Sequence, residues 1–450
     1  GVHNEIKTIE EPNIHNATTI SGYPYVDAQG YYLWRGHLDF EINGHLIKIL
    51  ISYKIQEDKI GTGVPLIIAN HGWTASSTPR VDSIHSNTNH FLNLYAVLAY
   101  DWAGDINGNL TDTDTHTIYP PELDRLNFQV NPAGDTVNQA SVQTLDDIRE
   151  MDMYYWQAMP RKVIAYAHDN FIGDINPNKI GFFGYSWGST IGWTVATDPR
   201  IKAFVGWFGA GYRHWFDGQP LLDELDTNFT AGNNLYISTL EPQSHAKKVQ
   251  CPTFWINGSN DNHGNPRGLN NIKSVPNNNG WWLFYDSTGE IGHGQNNKSD
   301  IDDVDKYFFN THLLQNQLKW YKVPLIEPSL VSTGLNTGYP QVKIIPDEPD
   351  DVSDVYVYFT SENEVDSDYR NWEWTKVTAT NDGSGHFFAE TPVNKIDKYV
   401  SAYARIVYTN GTQLSTDITH NIPQELGNAV SIDTKFYKPD EATTANLVAW

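Results

Sequence analysis

The chain predicts an α/β fold: an open, mainly parallel sheet with flanking helices, followed by a C-terminal all-β sandwich. Three observations lead there. Short, nearly all-apolar runs recur at 64–69, 94–100, 180–183, 203–208, 252–256 and 281–285, each of the length and texture of a strand buried on both faces. Stretches with helical spacing of apolar residues lie between several of them, and strand–helix alternation of this kind builds an open α/β sheet. From about residue 323 the texture changes: Pro324, Pro328, Pro340, Pro346 and Pro349 punctuate it, and short strands alternate with turns, as in a sandwich. At 450 residues the chain exceeds the ~250–300 residues that one core usually reaches. Two domains are therefore expected, 1–325 with an N-terminal β lead-in and 326–450.

In the lead-in, the runs 31–40 and 46–53 flank Asn43-Gly44, the dipeptide that two-residue hairpin turns favour. After Gly61 and Gly63 the parallel strands begin. Residues 141–159 carry Leu145, Ile148, Met151, Tyr155 and Met159 at three- and four-residue spacing. That spacing predicts a helix broken at Pro160, with a second helix over 161–170. Helices over 189–197 and 305–320 complete the region. Two segments interrupt the alternation. Residues 101–138 are polar, and 211–250 contain Tyr212, His214, Trp215 and Phe216. Loops this long in a compact domain are usually functional or disordered. In the last part, 355–359, 372–377, 386–390 and 399–408 predict strands, with turns at Asn381-Asp382-Gly383 and Thr409-Asn410-Gly411.

Composition narrows the function. Aromatic residues make up 13% and hydrophobic residues 39%, enough for a large core and against a disordered chain. Lys+Arg 30 against Asp+Glu 54 gives a net charge of −24, a surface that repels nucleic acid and anionic lipid. No stretch approaches the ~18 apolar residues of a membrane span. The single Cys251 allows no intrachain disulfide. The chain starts at Gly1 rather than Met, and Asn-x-Ser/Thr sequons occur at Asn16, Asn109, Asn228, Asn257, Asn297 and Asn410. The start reads as a processed mature form or a trimmed chain, and with the aromatic richness and sequons it predicts a secreted protein, with Asn16, Asn109, Asn228 and Asn410 as glycan candidates.

The chemistry concentrates at Gly184-Tyr185-Ser186-Trp187-Gly188. It leaves the run 180–183 and enters the helix 189–197, the strand–turn–helix setting in which a G-x-S-x-G presents a serine nucleophile. The glycines permit a tight turn, and the helix N-terminus favours a developing anion. A serine needs a base, and the base an orienting acid. In sheets of this kind the chain order is serine, acid, histidine. Asp261 follows the run 252–256 in Asn257-Gly258-Ser259-Asn260-Asp261, and His293 follows 281–285 in Gly292-His293-Gly294. Each alone would be an ordinary loop residue; the order and the strand exits join them. His263 is too near Asp261 in sequence to serve as its base, and Asp286 is the lesser acid candidate. Two backbone amides should hold an oxyanion, that of Trp187 and that of Trp73 in His71-Gly72-Trp73 after the first parallel strand. Asp101-Trp102 reads as structural. No His-x-x-x-His pair lies on a helix and no Cys pair exists, so no metal is expected. Glycine patterns for a dinucleotide or a P-loop are missing after every strand. The acidic clusters at Asp300–Asp305 and Asp347–Asp351 read as solvated faces or helix N-termini.

Through these motifs the chain resembles the α/β-hydrolase superfamily over roughly 30–322. Within it, Asp198-Pro199-Arg200-Ile201-Lys202-Ala203-Phe204-Val205 is similar to the acetyl xylan esterase, dienelactone hydrolase and prolyl oligopeptidase branch. Trp187 stands where glucuronoyl esterases carry Arg. Asp368-Tyr369-Arg370-Asn371-Trp372 and Tyr403-Ala404-Arg405-Ile406-Val407-Tyr408 resemble the extra β domain of some PhoPQ-activated pathogenicity-related proteins.

The resemblance and the residues imply a cofactor-free serine carboxylic-ester hydrolase with Ser186, Asp261 and His293 in the catalytic roles. The expected substrate is a small-molecule or carbohydrate ester with a small, acetyl-type acyl group, with Tyr212 and Trp215 among the pocket walls. Two rivals stand beside it: a secreted serine peptidase with the same triad, and a non-catalytic signalling or storage protein on a retained scaffold.

Overall fold

The apolar runs of the first part lie side by side in one ten-stranded sheet. The computed structural model describes residues 17–73, 79–105, 112–124, 146, 149, 152–170, 174–209, 240, 242–261, 267–287, 293, 301, 303–314, 318–334, 337–361 and 372–426. The sheet begins with β1 (Ala17–Thr19), β2 (Tyr25–Val26), β3 (Tyr31–Ile42) and β4 (His45–Gln56). It continues with β5 (Val64–Asn70), β6 (Ala96–Tyr100), β7 (Ile175–Tyr185), β8 (Ile201–Trp207), β9 (Thr253–Gly258) and β10 (Gly280–Tyr285). Its spatial order is β1-β3-β4-β6-β5-β7-β8-β9-β10, with β2 beside β3. The lead-in strands pair antiparallel, Ile42 facing His45 across the Asn43-Gly44 turn, where both residues have positive φ. From β6 to β10 every pair is parallel.

Both faces of the parallel strands are covered. Leu66 and Ile68 enter one apolar core while Ile67 and Ala69 enter the other, which is why period-two alternation is missing from the sequence. The chain visits β6 on one side of β5 and then crosses to β7 on the other. Such a reversal opens a crevice at the carboxyl ends of the strands.

Helices α1 (Arg80–Thr88), α2 (Asp152–Asn170), α3 (Trp187–Val195), α4 (Arg267–Lys273) and α5 (Val304–Phe309) pack on the sheet. Two of these differ from expectation. Helix α2 runs through Pro160 instead of breaking there. An interior proline costs about 3 kcal/mol. Burial of Met153, Trp156, Met159, Val163, Ile164 and Ala167 in one core outweighs it, at ~1.5–3 kcal/mol for each large side chain. The closing helix is shorter than 305–320. After α5 it widens into a π turn, Asn310–Leu314. The Trp320 ring packs on Phe308 at 5.1 Å and on Phe254 at 5.4 Å, which a helix continued from α5 to residue 320 would not allow.

The C-terminal part is antiparallel. One sheet holds β11 (Leu325–Gly334), β12 (Thr337–Ile345), β15 (Thr380–Asn381) and β16 (Phe387–Glu390). The other holds β13 (Val352–Ser361), β14 (Thr375–Thr378), β17 (Val400–Tyr408), β18 (Gln413–Ser415) and β19 (Thr419–Asn421). Ile326, Val342 and Ile344 from the first meet Val355, Val357, Ala404 and Ile406 from the second in one apolar cluster, as two stacked sheets require.

Candidate active site

Ser186 sits between β7 and α3 with φ 54° and ψ −117°. A non-glycine residue there is strained, a state kept only where the surroundings enforce it. The enforcement is visible. The Ser186 N–H donates to the Trp207 carbonyl at 2.8 Å, and its own carbonyl accepts the Ser189 N–H at 2.9 Å. Gly184 and Gly188 let the turn close: a Cβ on Gly184 would lie 2.4 Å from the Gly188 oxygen, and one on Gly188 2.5 Å from the oxygens of Asn70 and His71. Gly72, leaving β5, comes so near that its Cβ would lie 2.9 Å from Cβ of Ser186. Thus Trp73, next in the chain, and Trp187 both adjoin the serine.

Ser186 Oγ lies 2.6 Å from His293 Nε2. On the far side of the ring, Nδ1 lies 3.0 Å from Asp261 Oδ1 and 3.1 Å from Oδ2. Asp261 is fully buried at the exit of β9, and the Phe208 ring packs against the imidazole at 4.8 Å. The structure thus brings Ser186, His293 and Asp261 together. Asp286 lies instead near Tyr403, whose phenol is pushed well up by burial first and by the charges of Tyr358 and Asp286 after it. Tyr212, Trp215, His263, Asn16, Asn109 and Asn228 lie outside the described residues. Asn410 is described. Its Nδ2 donates to the Lys319 carbonyl at 2.8 Å, a bond that a glycan on that nitrogen would have to share.

A chain of indoles leads away from Trp187, the residue after the serine. Trp102 lies 6.0 Å from Trp73 and 4.4 Å from Trp156, and Trp156 lies 6.3 Å from Trp187. Trp102 and Trp156 are fully buried, Trp73 only partly. The aromatics of 211–250 drew attention in the sequence; Trp156 did not, because it is one more apolar residue on a helix face.

A second polar group supports the loop of Trp73. His71 Nε2 lies 2.9 Å from Asp101 Oδ1, and the His71 ring stacks on Trp102 at 4.9 Å. Burial works to raise the Asp101 carboxyl. The hydrogen bond and charge of His71, then Arg80 and the Thr117 amide, hold it below the usual carboxylate range. These bonds tie Asp101 to the loop beside Ser186. Among the described residues no cluster of His, Cys, Asp and Glu suits a metal ion.

The sheet order and the strand-to-helix turn at Ser186 are those of an α/β-hydrolase fold. Residues 137–323 match the family model described as "Dienelactone hydrolase family". No curated protein matches the chain by sequence. Solved structures resemble it more distantly. Est1E from Butyrivibrio proteoclasticus is 15% identical over 58% of this chain and 92% of its own, with a TM-score of 0.35. A carbohydrate esterase family 15 glucuronoyl esterase from Caldicellulosiruptor kristjansonii is 12% identical over 67% and 80%, with a TM-score of 0.41. A protein from Bacteroides ovatus described as a putative dipeptidyl aminopeptidase IV is 10% identical over 66% and 44%, with a TM-score of 0.39.

Proposed function

We propose that the chain is a serine esterase acting through an acyl-enzyme, with a preference for small acyl groups. The observation that carries this is the line of hydrogen-bonding distances from Ser186 Oγ through His293 to the buried Asp261. Ser186 Oγ attacks the acyl carbon while His293 Nε2 takes its proton. Asp261 holds the imidazole by Nδ1 and stabilises the imidazolium. The backbone amides of Trp73 and Trp187 receive the oxyanion as it forms. The C–O bond then breaks, and His293 returns the proton to the leaving alcohol. Water, deprotonated by His293, attacks the acyl-enzyme, and the acid leaves with Ser186 restored. A small acyl group is supported by the tryptophans adjoining the serine, whose rigid rings leave little volume for extra carbons and offer flat faces to a sugar or aromatic alcohol.

The test combines an active-site label with a substrate series. A fluorophosphonate should label Ser186, and Ser186→Ala should lose label and lower kcat by about 1000-fold or more. Across p-nitrophenyl esters kcat/KM should fall steeply from acetate to octanoate, at ~1–3 kcal/mol per misplaced methylene. An unlabelled wild-type protein sinks the hydrolase reading. Turnover of amides alone moves it to a serine peptidase, and preference for octanoate refutes the small pocket.

A further inference from the structure

The C-terminal sandwich meets the central sheet along β10. The Phe284 N–H donates to Ser415 Oγ at 2.9 Å, Trp282 Nε1 donates to the Thr416 carbonyl at 2.9 Å, and Lys273 on α4 pairs with Asp417 at 2.6 Å. β10 and its neighbour β9 are the strands whose exits lead to His293 and Asp261. One more bond crosses this seam, beside the acid. Asn260 Nδ2 donates to the main-chain carbonyl of Trp372 at 2.7 Å.

Asn260 is fully buried and adjoins Asp261 in the chain, so their Cα atoms are ~3.8 Å apart. Its other groups face the sheet. Oδ1 accepts from Ser259 Oγ at 2.8 Å, and the backbone N–H donates to Ser287 Oγ at 2.9 Å. The Ser287 N–H donates back to Ser259 Oγ at 3.2 Å. The turn after β9 is thereby tied to the residues after β10 through Ser259 and Ser287, and to the sandwich through the Asn260 amide and through Ser259, which bonds the Tyr403 phenol. The far anchor is itself held: the buried Trp372 ring stacks on His420 at 6.1 Å and 14° and lies 5.9 Å from Trp374.

We infer that Asn260 is a positioning residue for Asp261, clamping the acid-bearing turn to the main chain of the C-terminal sandwich. The inference rests on the triad reading proposed above. It makes the sandwich part of the machinery that aims the acid, since a carboxylate must keep both its distance and its angle to the imidazole. Misplacement by about 1 Å is enough to lose about 100-fold in rate.

The experiment compares wild type with Asn260→Ala, using p-nitrophenyl acetate and a fluorophosphonate titration of active sites. The titratable and charged groups around the seam include Asp261, His293, Asp286, Tyr358, Tyr403, Arg405, His420 and the Lys273–Asp417 pair, and the substitution changes the charge of none. kcat per labelled site should fall about 10- to 100-fold with KM within about threefold. The acid limb of the kcat/KM profile should move to lower pH, because an imidazolium less well held by Asp261 releases its proton more easily. If Asn260→Ala does not fold, Asn260→Ser carries the same expectation: it keeps a hydroxyl beside Ser259 but is too short to reach the Trp372 carbonyl. Unchanged kcat, or a fall in kcat with the acid limb unmoved, overturns the positioning role. A wild-type protein that takes no label overturns the triad reading itself, and this inference with it.

Discussion

Asp101 carries more hydrogen bonds than the residues beside it in sequence would suggest. Oδ1 accepts from His71 Nε2 and the Ala103 N–H, and Oδ2 from the N–H groups of Gly104 and Thr117. Arg80 adds its charge at 3.7 Å. Every partner is a donor, so Asp101→Asn must turn an amide nitrogen toward at least one of them. Removing one charge from a buried pair typically costs ~3–5 kcal/mol. We expect Asp101→Asn to lower the unfolding free energy by about 3 kcal/mol, measured by urea denaturation, and to lower kcat through the Trp73 loop. Unaltered stability would show that the charge does not matter there. At this scale the sequence was legible where a motif fixes a strand–turn–helix, at Ser186, and where strand order brings loop residues within hydrogen-bonding distance, at Asp261 and His293. It was illegible at Asn260, whose partner Trp372 is 112 positions away, and whose role depends on which carbonyl happens to face it.

The turn between β7 and α3 works because two of its glycines are replaced by nothing larger. A Cβ on Gly188 would meet backbone oxygens of β5's exit, not flexible side-chain ends, so neither neighbour can rotate away. Gly188→Ala should therefore push the β5 exit from the turn. Overpacking of this kind usually costs ~1–3 kcal/mol. The expected result is a lower Tm together with loss of fluorophosphonate labelling; full labelling at wild-type rate would refute it. The elements themselves were readable to different degrees. Parallel strands announce themselves as unbroken apolar runs because both faces are buried. Helix α2 did not, since Pro160 is a strong local stop signal and only the tertiary burial of its neighbours overrides it. The end of the closing helix was misplaced because residues 318–320 are not helical and the Trp320 ring packs on Phe308, information that no local spacing contains.

At the scale of the whole molecule, two packed histidines contribute to the response to mild acid. Burial first, with the charges of Lys54 and Arg35, pushes His85 down to about 3, and burial pushes His312 down to about 4. Both are therefore neutral in the folded protein at pH 5, where the unfolded chain binds the proton near pH 6.5. The unfolded state takes up more protons, so stability is full above about pH 6.5 and falls as pH drops toward about 4. Each group contributes at most ~1.4 kcal/mol per pH unit. His312 packs against Phe308 at 4.5 Å and Trp281 at 5.6 Å, a site that accepts a phenyl ring. Urea unfolding from pH 7 to 4.5 should show this decline, and His312→Phe should flatten it by about 1 kcal/mol per unit. Parallel slopes in the two proteins would discard the account. The seam along β10 has another consequence at this scale. An outermost strand ordinarily offers its outward N–H groups to any extended chain that drifts by, which is how sheets recruit strangers into fibrils. Here the Phe284 N–H is already taken by Ser415 Oγ, and the Trp282 indole by the Thr416 carbonyl. The sandwich thus blunts a sticky margin, and protection against misassembly comes from the same seam that the Asn260–Trp372 bond crosses.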